Sequence, residues 1–132
     1  MTDYNFGKLQ EERLFNIIKK EFGEDLTPSK ERYALFDFNS EKTSVELKSR
    51  RCNHNTYPDT MMNINKIYCA NEHPDKTFIF CFNFEDGLYY FKHKKDYEYK
   101  VRFAGRRDRG VDERKTYAFI PVEDLTKVQT SF

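Results

Sequence analysis

Asp37, Glu46 and Lys48 are the residues whose types and spacing suit chemistry on a phosphate. Clustered carboxylates hold a hard divalent cation such as Mg²⁺, which takes oxygen ligands and keeps open water positions. A lysine beside that cation orients or deprotonates an attacking water and offsets phosphate charge. Taken alone, Glu46-x-Lys48 is more often the surface ion pair of an ordinary exposed strand. Asp37 points the other way: an aspartate inside Leu35-Phe36-Asp37-Phe38 is unfavourable among apolar strand neighbours and needs a reason to be there.

The stretch Tyr33 to Arg51, YALFDFNSEKTSVELKSRR, has to position these groups. It reads as a β-hairpin, with strands over Tyr33–Phe38 and Thr43–Lys48 and a turn-prone polar link, Asn39 to Lys42. On the second strand Val45 and Leu47 face one way, and Ser44, Glu46 and Lys48 the other. A loop of two or four residues puts Asp37 on the face of Glu46, whereas an odd loop or a bulge separates them. Glu46 and Lys48 then lie about 7 Å apart along the strand.

Asp37 followed nine residues later by Glu46-Leu47-Lys48 resembles the PD-(D/E)XK nuclease superfamily, in its small Holliday-junction-resolvase-like or phage and virus-type forms. The resemblance extends over roughly residues 7 to 92, through an upstream helix carrying a glutamate and a helix downstream of the hairpin. The motif is short and draws its specificity from that order of elements. Phe36 stands where the motif has proline. The resemblance implies a restriction-endonuclease-like α/β fold, a mixed central sheet flanked by helices in the order α-β-β-α-β-β with C-terminal strands added. It implies Mg²⁺, with Mn²⁺ as a substitute, held by Asp37, Glu46, the Leu47 carbonyl and a first-helix glutamate, here Glu11. Catalysis then falls to Asp37, Glu46, Lys48 and Glu11, and the substrate is DNA.

The remaining chain supplies the supporting elements. Residues 1 to 7 read as a polar lead-in, and Lys8–Phe22 as an amphipathic helix with Leu14, Phe15, Ile18 and Phe22 inward and Gly23 as its stop. Glu11 precedes Leu14, Phe15 and Ile18 by three, four and seven residues, so it shares their face, while Glu12 points away. A first-turn acid is also what the helix dipole favours. Pro58-Asp59 suits the start of a second helix, running to about Asn71 with Met61, Ile64, Ile67 and Tyr68 buried. Lys66 lies off that stripe and is a candidate nucleic-acid contact. Thr77–Phe84 is the best buried strand, Glu85-Asp86-Gly87 a turn, and Leu88–His93 the return strand. Further strands are expected over Tyr97–Phe103 and Thr116–Val122, with a short helix from Glu123. The core sheet should hold about five or six strands.

The 132 residues form one domain on this reading, with thirteen phenylalanines and nine tyrosines for its core. A net charge of +1 does not announce a nucleic-acid binder. Local charge does more. Arg50 and Arg51 follow the second hairpin strand, and Arg106, Arg107 and Arg109 stand in the loop AGRRDRGVDERK. Guanidinium forks match phosphate oxygens, although a solvated basic face gives the same pattern. The chain shows no signal peptide, membrane run or lipidation motif, and its three cysteines follow no disulfide pattern. An intracellular setting, the cytoplasm or nucleus of a host cell, is expected. Cys52, His54, Cys69 and His73 are possible zinc ligands, but C-x-H is not a usual knuckle spacing.

The expectation is therefore a Mg²⁺-dependent DNA endonuclease, acting as a homodimer because cutting two strands needs two sites. The alternative is a nucleic-acid-binding module that keeps the fold without catalysis. A third possibility is a small protein-interaction domain with incidental hairpin charges.

Overall fold

The computed structural model describes residues 3–30, 35–104 and 115–129. Helix α1 spans Asp3–Phe22, five residues longer at its start than the sequence pattern predicts. Residues 3–7 contain no proline, and Gly7 alone costs only about 1 kcal/mol relative to alanine in a helix. Gly23 ends the helix, its N–H bonded to the Lys19 carbonyl at 2.9 Å. Two short strands follow, β1 (Thr27–Pro28) and β2 (Phe38–Asn39), and then β3 (Thr43–Ser49). Next come β4 (Asp59–Asn63), helix α2 (Ile64–Glu72), β5 (Thr77–Phe84) and β6 (Gly87–Lys92). The chain closes with β7 (Lys100–Ala104), β8 (Lys115–Pro121), a 3₁₀ turn over Val122–Asp124 and β9 (Thr126–Lys127).

The fold is α/β with a mixed central sheet, in the order β1-β2-β3-β5-β6-β9. The β3–β5 pair is parallel and its neighbours are antiparallel. Central β5 reads as an unbroken apolar run because both its faces are covered. Ile79 and Cys81 join Leu14, Ile18, Val45 and Leu47 under α1. Phe78, Phe80, Phe82 and Phe84 join Ile67 and Ala70 of α2 on the other face, with Met62, Ala118 and Ile120. Those last three belong to a second, antiparallel sheet, β4-β8-β7, which the sequence pattern does not reveal.

Several expected boundaries move. Pro58–Asn63 is not the first turn of a helix. Asp59–Asn63 pairs with β8, from Asp59↔Pro121 to Asn63↔Tyr117, with Thr60 and Met62 buried. The Met61-Ile64-Ile67 spacing fits a helix, but a strand partner nearly sixty residues away decides the matter. Asn63 then caps α2, its side chain accepting from the Asn65 N–H at 2.9 Å. Tyr68 is exposed, and Ile67 and Ala70 are the buried positions of that helix. Of the predicted strand over Tyr33–Phe38, Tyr33 and Ala34 lie outside the described residues, Leu35 to Asp37 bend, and the strand runs over Phe38–Asn39. Phe36 enters the α2 side of the core and Phe38 the α1 side, so regular alternation stops at Asp37. Tyr97 and Tyr99 precede β7 and pack edge-on against Phe91, with centroids 4.7 and 5.9 Å away.

Candidate active site

Strand β3 alternates as its sequence requires. Val45 and Leu47 enter the core under α1, and Glu46 and Lys48 face the α2 side. The β2–β3 register is Phe38↔Val45 and Asn39↔Ser44, joined through residues 40–43, an even loop. Beyond Phe38 the chain bends away, and among the described residues β3 has no strand partner along that part of its edge. Asp37 takes over there: its Oδ2 accepts the Leu47 N–H at 2.7 Å. Within a strand residue the N–H and C=O point the same way, so the Leu47 carbonyl is directed to that edge as well.

Glu11 arrives from the opposite side. One helical turn after it, the Phe15 ring stacks on Phe38 at 5.3 Å, which sets α1 over the residue next to Asp37. The Asp37 charge reaches Glu11, and Lys8 Nζ donates to Glu11 Oε2 at 3.3 Å. The Asp37 charge acts on Glu46 too. Asp37 thus links an acid from α1 and an acid from β3 at the sheet edge. Glu12 is exposed.

Two ammonium groups approach Glu46. Its Oε2 is 3.4 Å from Lys48 Nζ and 3.4 Å from Lys66 Nζ. Lys66 is largely buried, and its Nζ lies 5.1 Å from the centre of the Phe36 ring. A surface position for it, facing nucleic acid, is therefore not what α2 provides; it points into the acid cluster. Burial pushes the Glu46 carboxyl up to about 7, with the Asp37 charge adding to it and the two lysines opposing. Burial likewise raises Glu11 to about 8, reinforced by its interaction with Asp37. Carboxylates that resist ionising beside one another are the groups a divalent cation relieves.

Among the described residues no three His, Cys, Asp or Glu side chains form a ready cage for a metal ion. A cation at this edge would take few protein oxygens and keep several waters, as magnesium commonly does. The possible zinc quartet does not assemble either. His54 bonds to Asp86, while Cys69 of α2 faces His73 just past the end of that helix, with Sγ to Nδ1 at 4.0 Å.

Arg50 and Arg51 follow directly on β3. Arg50 is mostly buried, its Nη2 donating to the Met61 carbonyl at 2.9 Å and its N–H to Asn83. Arg51 is exposed. Arg106, Arg107 and Arg109 lie outside the described residues. Gln10 and Arg13 of α1, which the sequence pattern did not single out, border a cleft of about 460 Å³ with Arg50, Arg51 and Asn83. Lys8 was missed as well, although its place three residues before Glu11 is an ordinary helical ion-pair spacing.

The model of a family described as "Phage putative PDDEXK endonuclease" matches residues 27–128. The chain belongs to this family. The match takes in Asp37, Glu46 and Lys48 and begins beyond α1, so Glu11 stands on geometry alone. No curated protein and no solved structure matched the chain. Membership places the protein in the PD-(D/E)XK nuclease superfamily, whose members generally use divalent metals. Among the described residues no helix is long and apolar enough to cross a membrane.

Proposed function

We propose that residues 1–132 form a single nuclease domain that hydrolyses phosphodiester bonds in DNA with a bound Mg²⁺, for which Mn²⁺ substitutes. The observation that carries this reading is the meeting of Glu11, Asp37 and Glu46 at the open edge of β3, with Lys48 beside Glu46. Asp37, Glu46 and the Leu47 carbonyl would hold the cation, with Glu11 reaching it directly or through water. When bound, the ion would supply Lewis-acid polarisation of the scissile phosphate and offset charge on the leaving oxygen. Lys48 Nζ, an ammonium in its ion pair with Glu46, orients the attacking water and offsets the negative charge that develops as it attacks. Lys66 holds Glu46 in place from α2. Arg50 shapes the wall of the cleft, Arg51 and Arg13 contact the substrate backbone, and Arg106, Arg107 and Arg109 add further phosphate contacts. Two copies acting together supply one site per strand, inside the host cell where the DNA is.

The test is cleavage of linear, nicked, single-stranded and four-way-junction DNA by the purified protein in Mg²⁺, in Mn²⁺ and in EDTA. Cleavage is expected with either metal and none in EDTA. Asp37→Ala and Glu46→Ala should abolish it. DNA binding without cleavage under every metal condition would make the protein a binding module instead, and wild-type rates in both variants would remove the assigned carboxylates.

A further inference from the structure

A second cavity, of about 480 Å³, adjoins the basic cleft, and Arg50 and Phe84 line both. Arg50 comes two residues after Lys48, so the wall between the cavities continues the strand that carries Glu46 and Lys48. The two chambers differ in chemistry. The first presents the guanidinium groups of Arg13 and Arg51, which suit phosphodiester oxygens, beside Glu85 and the amides of Gln10 and Asn83, which bond to each other. The second is walled by the rings of Tyr57, Phe84 and Phe119. In it the Arg102 guanidinium lies 3.8 Å from the centre of the Phe119 ring and donates to Asp59 Oδ2 at 2.8 Å. Flat aromatic and guanidinium surfaces with a few polar atoms at their edge are what a nucleobase stacks and hydrogen-bonds on.

We propose that this second cavity receives one unpaired nucleobase of the strand whose backbone runs past Arg51. The proposal rests on the nuclease reading and specifies its substrate. Bases in an intact duplex stay stacked and out of reach, so only a bulged, single-stranded or extruded base enters. Tyr57 is 63% exposed at the rim, where it closes over the base as a stacking face. Asp59 and Arg102 offer an acceptor and donors to the base edge.

The experiment measures affinity in EDTA, where no cleavage is expected, for three duplexes: fully paired, with a one-adenine bulge, and with a one-residue abasic bulge. Stacking of a base on an aromatic side chain strengthens binding by about 5- to 150-fold, so the adenine bulge should bind at least about fivefold more tightly than the abasic one. Tyr57→Ala should erase that difference and leave affinity for the abasic bulge unchanged, whereas Tyr57→Phe should keep it. Being exposed, Tyr57 can be replaced without disturbing the core. Equal affinity for the two bulges, with DNA binding and metal-dependent cleavage intact, overturns the base site and leaves the nuclease standing. Absence of both DNA binding and cleavage overturns the base site together with the reading beneath it.

Discussion

Glu46 sets the residue-scale problem: a carboxyl only 3% exposed, with an acid and two lysines against it. Its folded value is raised from 4.5 to about 7, and that of Glu11 to about 8. A raised carboxyl favours the fold in its protonated form. The contribution is complete below the unfolded value and is lost as pH rises through about 7 to 8. In metal-free buffer, stability contributed by these two groups should therefore fall between about pH 5 and pH 8. Glu46→Gln should flatten this fall, so the difference in Tm between variant and wild type should grow more positive over that range. The slope is diagnostic rather than the offset: the ion pairs with Lys48 and Lys66 form only as Glu46 ionises and are already contained in its folded value. Parallel curves for the two proteins would rule out a raised Glu46. Added Mg²⁺ should stabilise the wild type more at pH 8 than at pH 6, since a hard cation binds the ionised acids.

Asp37 combines two duties that substitution can part. Its carboxylate accepts the N–H of nearly buried Leu47 and also supplies charge to the cluster. Asp37→Asn keeps an acceptor oxygen, and Asp37→Ala leaves the donor without one, which costs about 1–3 kcal/mol. Denaturant unfolding in EDTA should show the alanine variant weaker by that amount and the asparagine variant near wild type. Both should lose metal-dependent cleavage. Equal stability of the two variants would mean that water satisfies Leu47 just as well.

At the scale of elements, α1 decides which of two adjacent acids reaches the edge of β3. Stacking of Phe15 on Phe38 fixes the helix phase, and neighbouring positions point about 100° apart. Glu11→Gln should lower cleavage strongly and Glu12→Gln weakly, in steady-state rates at saturating Mg²⁺. The reverse order would mean that α1 sits in another rotation in the active protein. This phase was legible in the sequence because Leu14, Phe15 and Ile18 mark the buried stripe of a single amphipathic helix. The β3 alternation and the β5 run were legible for the same local reason. What escaped depends on distant partners. The strand β4 exists because β8 supplies its ladder, and Lys66 turns inward because a strand before α2 sets where that helix begins. The bend at Asp37 escaped as well. No local signal says that Phe36 and Phe38 belong to opposite sides of the sheet, and that bend is what lets Asp37 cap the edge of β3.

Over the whole molecule, charge is distributed rather than abundant. A net charge of +1 gives no general attraction to DNA, so affinity must come from cations placed where the backbone runs. Arg13 and Arg51 border the cleft that Gln10, Arg50 and Asn83 also line. Strands β7 and β8 form an antiparallel ribbon, from Lys100↔Phe119 to Ala104↔Lys115, while Arg106, Arg107 and Arg109 lie outside the described residues. Removing one cation that neutralises a phosphate should reduce the slope of log affinity against log salt by about 0.9 on duplex DNA. Replacing the three loop arginines by alanine should weaken binding and flatten the slope by up to about 2.7 between 50 and 200 mM salt. Arg51→Ala should flatten it by about one. Mg²⁺ affinity, followed by titration calorimetry, should stay at the wild-type value in both proteins. If metal affinity fell in the loop variant while the slope held, the loop would serve the metal site or the fold. An unchanged slope with unchanged affinity would make it a solvated surface loop, and binding to the duplex would then rest on the cleft arginines alone.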